Sequence, residues 1–224
     1  MTLVTDGPAN VAGALIDTLI ASNRGDRNAF TFGEKRYSFQ DVAALMNRAG
    51  NMLKGMGLQR GAAVLVLLPG SPAFVASVLG AMKAGGVAVL GPQPVSDPAL
   101  RACLAACAPS LVVIHQNDLD GARDALAASA ARSIVVGGDG RDHPSFVDEI
   151  RRQSSWLAAE TVGGDAVAWG AWTGAAIHRF THAQLAALLD RTDGAPVDAT
   201  LPAHAAATIG MLRCFARGEP ATLP

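Results

Sequence analysis

The residues best suited to chemistry lie in one stretch, AVAWGAWTGAAIHRFTHAQL, from Ala166 to Leu185. It has a strand-like start, then Gly170, Thr173 and Gly174, and a helix-like finish. That is the outline of a loop that cradles phosphate. Glycines let the backbone approach the anion, and hydroxyl and N–H groups donate hydrogen bonds to it. Gly170, Thr173 and Gly174 are therefore the candidate cofactor-binding residues. The stretch holds no lysine to offset phosphate charge, and Thr173 is its one hydroxyl ahead of the helix. The plainer reading is a simple strand–helix turn, with Gly174 present for backbone geometry alone.

Other constellations are weaker. His178 and His182 stand four apart and would share a helix face as metal ligands, but no third ligand follows at a workable spacing. They read as surface or capping histidines, so no metal site is assigned. Cys103 and Cys107 also stand four apart, without a His or Cys partner nearby, and read as buried thiols. Trp169 and Trp172 read as packing residues in preference to the walls of a ligand slot. Gly137-Gly138-Asp139-Gly140 hints at a dinucleotide loop, but a polar turn follows it where that fingerprint needs a helix. No residue is assigned a catalytic role.

The elements that would position these residues can be read along the chain. Val11 to Ser22 has helical spacing of apolar residues. NAFTFGEKRYSF predicts a β-hairpin about Gly33-Glu34, and Ser38 is placed to cap a helix ending near Gly57. AAVLVLLPG, GVAVLGP, SLVVIHQ and RSIVVGG are short continuous apolar runs, as in strands covered on both faces. Helical stretches separate them: one opened by Ser71-Pro72, then DPALRACLAACAP, then LDGARDALAASAA. After a polar turn come a short helix in SFVDEIRRQSS, a strand in DAVAWGAW, and a helix in THAQLAALLDRT. APVDATLP is a further candidate strand, and a last helix closes on Gly218. The alternation predicts an α/β fold: a doubly wound, mostly parallel sheet flanked by helices, with an N-terminal β-hairpin. Residues 154–164 mark a junction between an N-terminal subdomain, 1–153, and a second segment, 165–224, packed on the first.

The bulk composition sets limits on partners. The 224 residues are 50% hydrophobic and 17% charged, with a formal net charge of -1. Such a chain can bury a sizeable core. It offers no general electrostatic case for nucleic acid or an anionic membrane. The basic residues are scattered, and Arg151-Arg152 is too short to count as a patch. Three sparse cysteines suit a reducing compartment. No apolar run reaches the ~20 residues of a membrane span, and no signal peptide is evident at the N-terminus. The expectation is a soluble, cytoplasmic protein.

Several segments also carry a resemblance. RYSFQDVAALMNRAGNMLKGMGLQRG, VLVLLPGSPAFVASVLGAMKAGGVAVLGPQPVSDPALRACLAACAPSLVVI and SIVVGGDGRDHPSFVDEI resemble the N-terminal part of the adenylate-forming superfamily. That group includes acyl- and aryl-CoA synthetases, luciferases and the adenylation domains of peptide synthetases. The resemblance implies ATP-dependent activation of a carboxylate as an acyl-adenylate, with ATP or AMP and magnesium as cofactors. It also implies a Ser/Thr/Gly loop with a lysine where Gly170 to Ile177 stands, just before a Thr-His-x-Asn/Gln-Leu helix start matched by Thr181, His182, Gln184 and Leu185. The loop here has one threonine, and Ala175, Ala176 and Ile177 replace the family's Pro-Lys-Gly segment. The last lysine in the chain is Lys83. His204 falls one residue closer than the family's pocket histidine.

The resemblance therefore implies a truncated relative with a degenerate phosphate loop, a pseudoenzyme in which no cofactor is expected. ATP or AMP with magnesium would be used only if residual family function survives. The expected role is a scaffold or partner in acyl- or aryl-acid metabolism, forming a homodimer or heteromer through apolar surface that a missing subdomain would cover. Two alternatives stand beside it: one part of a split ligase, or a module that binds acyl-CoA or nucleotide without turnover.

Overall fold

The computed structural model describes residues 10–138, 143–191 and 200–224. It opens with α1 (Val11–Ala21), capped by the Asn10 side chain, which accepts from the Gly13 N–H. A hairpin of β1 (Asn28–Phe32) and β2 (Lys35–Ser38) follows. Ser38 then caps α2 (Phe39–Gly55) in a reciprocal box with Asp41, satisfying two backbone donors at once.

Strands and helices then alternate as β3 (Ala63–Leu67), α3 (Pro72–Lys83), β4 (Val87–Leu90), α4 (Asp97–Cys107), β5 (Leu111–His115), α5 (Gln116–Ala127) and β6 (Arg132–Val136). After α6 (Phe146–Arg151) an irregular strap runs along α2 and α3. Asn47 and Asn51 on α2 donate to the carbonyls of Ser155, Ser154 and Trp156, and the Glu160 N–H donates to the Lys83 carbonyl. The chain then enters β7 (Val167–Trp172), turns into β8 (Ile177–Thr181) and passes directly into α7 (His182–Asp190). The last helix is α8 (Ala203–Arg217), ended by Gly218 in a left-handed conformation. Most of the candidate strand APVDATLP lies outside the described residues.

The six-stranded sheet has the order β6-β5-β3-β4-β7-β8 and is parallel except for β8, which pairs antiparallel with β7. Successive strand residues point to opposite faces, and both faces are buried. Val64 and Val66 join the core beneath α1, α2, α3, α7 and α8; Leu65 and Leu67 join the core beneath α4 and α5. The helix after β3 therefore lies on one face and the helix after β5 on the other. Neighbouring strands whose connections leave in opposite directions form a topological switch point.

One element departs from the sequence expectation. Between Trp172 and the α7 cap the structure has a second strand in place of a simple loop leading to a helix. Ile177, Phe180 and Thr181 suit a strand. Thr181 ends β8 and also caps α7, with its hydroxyl accepting from the Gln184 N–H. No turn residue separates the two elements.

Candidate functional site

The carboxyl edge of the sheet holds the Thr173 to Ala176 turn. Gly170 lies inside β7, paired with Val89 on one side and Arg179 on the other. It is buried, and a Cβ there would stand 2.8 Å from the His178 carbonyl oxygen. Gly170 is thus a close-approach residue of the sheet and lies outside any loop.

Thr173 and Gly174 are the first two residues of an exposed four-residue turn joining β7 to β8. This corrects the strand–helix reading: the turn closes a β-hairpin. Gly174 has φ +97°, which an L side chain rarely adopts. The Thr173 N–H donates to the Ala176 carbonyl at 2.9 Å, and the Thr173 hydroxyl donates to the same oxygen at 3.0 Å. In return the Ala176 N–H donates to the Thr173 hydroxyl oxygen at 3.3 Å. Both donors of the one hydroxyl residue are spent closing the turn. A phosphate cradle needs such donors free and converging, with a cation nearby. Lys83 supplies none here. It ends α3, ahead of β4 and so at the opposite edge of the sheet, buried against Asp17 at 2.7 Å. In this turn, then, Thr173 has no free donor for a phosphate and Lys83 adds no charge to it.

His204 reaches the same carboxyl edge from the start of α8. It lies beside the Gly91 backbone just past β4, and burial lowers its pKa below the ordinary histidine value while Gly91 acts in the opposite sense. Its Nε2 is buried without a hydrogen-bond partner. That leaves an unused polar atom near the ends of β4 and β7.

The two tryptophans serve opposite cores. Trp169 is fully buried with Phe180, ring centroids 5.4 Å apart, and Trp172 packs with Ile177 in the core under α4 and α5. His178 lies on β8 and stacks on Phe180, while His182 opens α7, so the pair shares no helix face. His182 is buried at 2% exposure, and its Nδ1 accepts a hydrogen bond from the Val11 N–H. It satisfies a helix-end donor of α1, a contact across the fold that spacing along the chain does not reveal. Cys103 is buried under the sheet and Cys107 packs at the edge of the same core. Gly137 and Gly138 follow β6 with positive φ; Asp139 and Gly140 lie outside the described residues.

Comparison with known proteins places this geometry. The 3-hydroxybenzoate--CoA ligase of Aromatoleum sp. (strain CIB) is 39% identical over 83 residues, 37% of this chain and 16% of that protein. The 3-hydroxybenzoate--CoA/4-hydroxybenzoate--CoA ligase of Thauera aromatica is 35% identical over 80 residues, 36% of this chain and 15% of that protein. The chain thus aligns with about a sixth of the length of these relatives. Among solved structures, apo MatB from Rhodopseudomonas palustris superposes with a TM-score of 0.78 at 23% identity, over 95% of this chain and 44% of that one. The N-terminal domain of FACL13 from Mycobacterium tuberculosis gives 0.76 at 20% identity, over 94% of this chain and 56% of that one. These superpositions show the same fold. The family model for AMP-binding enzymes matches residues 19–174, from within α1 to the turn after β7, and the chain belongs to that family.

Proposed function

We propose that this chain is a binding subunit built on the AMP-binding enzyme scaffold and does not adenylate carboxylates by itself. Its setting is acyl- or aryl-acid metabolism, in keeping with the hydroxybenzoate–CoA ligases it resembles. One observation carries the reading: Thr173 spends its N–H and its hydroxyl on the Ala176 carbonyl, so the turn that should cradle phosphate cradles itself. Charge-stabilising groups of that kind contribute roughly 3–4 kcal/mol each, and about 1.4 kcal/mol is tenfold in rate. Losing the lysine and the free hydroxyls together removes several such contributions.

The partner is a second copy or another polypeptide. Trp156, on the strap beside α2, is 73% exposed. Large aromatics in such positions dominate protein interfaces. The test combines sedimentation with carboxylate-dependent ATP–pyrophosphate exchange, using 3-hydroxybenzoate and magnesium. Self-association that weakens in Trp156→Ser, together with no exchange above the blank, is the expected result. Exchange by the purified chain alone would overturn the reading. Exchange that appears only when a second ligase-like polypeptide is added would replace it with the split-ligase alternative.

A further inference from the structure

Beyond the carboxyl ends of β3, β5 and β6 lies a groove of about 770 Å³. Its walls are the loop of Pro69, Gly70 and Ser71 after β3, the first residues of α3, His115 and Val136 at the ends of β5 and β6, and residues of β1, β2, α2 and α6. The crevice between β3 and β5 is the topological switch point of the sheet, where open α/β folds bind ligands. Its size is that of small-molecule sites. It is distinct from the Thr173 turn, which follows β7, because β4 stands between β3 and β7.

The lining is largely apolar, and part of it is left open to solvent. Phe32 is 46% and Val147 41% exposed, two of the three large hydrophobics exposed among the described residues. Three cations complete the wall: Lys35 from β2, Arg48 from α2 and Arg151 from α6. Among the described residues no Asp or Glu side chain lines the groove, and the Pro224 main chain lies against Gly70 of its wall. Neither guanidinium pairs with a carboxylate among the described residues. The Lys35 ammonium sits over the Tyr37 ring, 4.6 Å from its centroid, and is held on the wall without being neutralised. An apolar cleft whose described wall carries cations and no acidic side chain favours a ligand with the complementary pattern.

We infer that this groove binds a small amphipathic anion, an aromatic or acyl body carrying an anionic head. A flat membrane surface would not fill a concave site, and nucleic acid would need a longer basic track than three residues. The apolar body would lie against Phe32, Val147 and Ile150, with its head toward Arg48, Lys35 and Arg151. This goes beyond the proposed subunit role and does not depend on it.

The test uses anilinonaphthalene sulfonate, a fluorescent aryl sulfonate, titrated into the folded full chain and read by fluorescence and calorimetry. The expected result is saturable one-to-one binding. It should weaken about tenfold or more, on the order of 1.4 kcal/mol, in the triple variant Lys35→Ala, Arg48→Ala, Arg151→Ala. Val147→Asp, which places a like charge at the groove mouth, should weaken it similarly. Uncharged phenylnaphthylamine should bind less tightly than the sulfonate. Circular dichroism verifies that both variants fold. Several weak sites indifferent to the substitutions, no saturable binding, or equal affinity for the neutral analogue would each overturn the inference. So would binding to phosphatidylglycerol vesicles in place of one-to-one dye binding. The titration needs neither turnover nor association, so its failure is distinct from failure of the subunit reading.

Discussion

The Val11 N–H donates to Nδ1 of His182 at 3.1 Å, joining the first helix of the fold to one that begins 171 positions later. The bond needs a neutral imidazole, because a protonated ring has no lone pair to accept with. Burial supports the same state and lowers the His182 pKa from 6.5 to about 4. A group whose folded pKa is depressed contributes stability above its unfolded pKa and loses it as pH falls toward the folded one. The window here is pH 6.5 down to about 4, and the contribution is on the order of 3 kcal/mol. Urea unfolding across that window should show stability falling with pH. His182→Leu should be less stable at neutral pH by about 1–3 kcal/mol, with a shallower fall. An unchanged slope in the variant would show that His182 is not the linked group.

Lys83 and Asp17 form an asymmetric pair, the ammonium 2% exposed and the carboxylate 46% exposed, at 2.7 Å. Removing the acid strands a buried charge, while replacing the lysine with an apolar residue strands nothing. Asp17→Ala should therefore cost about 1–3 kcal/mol, the figure discounted because water reaches the carboxylate. Lys83→Met should stay within about 1 kcal/mol of the parent. Equal losses in the two variants, measured by denaturant melts, would contradict this asymmetry.

Much of the scaffold was legible because its signals are local. AVLVL, VAVL and LVVI are continuous apolar runs, and the structure places them side by side with both faces covered. Ser38 with Asp41, and Thr181 with Gln184, cap the helices they precede. The site was less legible. Gly170 reads as a loop residue because glycine is a turn signal, yet it lies where the neighbouring strand β8 leaves no room for a side chain. The strand β8 was hidden because it abuts its helix with no turn residue between them. Lys35, Arg48 and Arg151 belong to three separate elements, and only the winding of the sheet brings them to one groove.

Helices α2 and α3 meet through glycine. A Cβ on Gly80 would stand 2.8 Å from the Gly50 nitrogen and 2.9 Å from the Met46 carbonyl oxygen. Both are backbone atoms, so neither yields without moving a helix. Overpacking costs about 1–3 kcal/mol, more than the roughly 1 kcal/mol that alanine gains in a helix. Gly80→Ala should destabilise the fold. Gly210→Ala on α8, where a Cβ meets nothing within 4 Å, should stabilise it by up to about 1 kcal/mol. Thermal melts that rank the two variants in the opposite order would exclude close approach as the reason for Gly80.

The Thr173 turn makes its own prediction about nucleotide. A ligand present at about 100 times its Kd raises stability by roughly 2.7 kcal/mol, a shift that a melt resolves easily. With both Thr173 donors committed to Ala176, magnesium–ATP and AMP at millimolar concentration should leave the melting temperature unchanged. Gly174→Ala should lower stability by about 1 kcal/mol through its positive φ, with no change in the response to nucleotide. Thr173→Ala should loosen the hairpin in the same silent way. If nucleotide instead stabilises the parent and Thr173→Ala abolishes the effect, the hydroxyl must exchange its Ala176 bond for a phosphate oxygen. The turn would then open on binding, and the chain would retain the phosphate contact its closed form conceals.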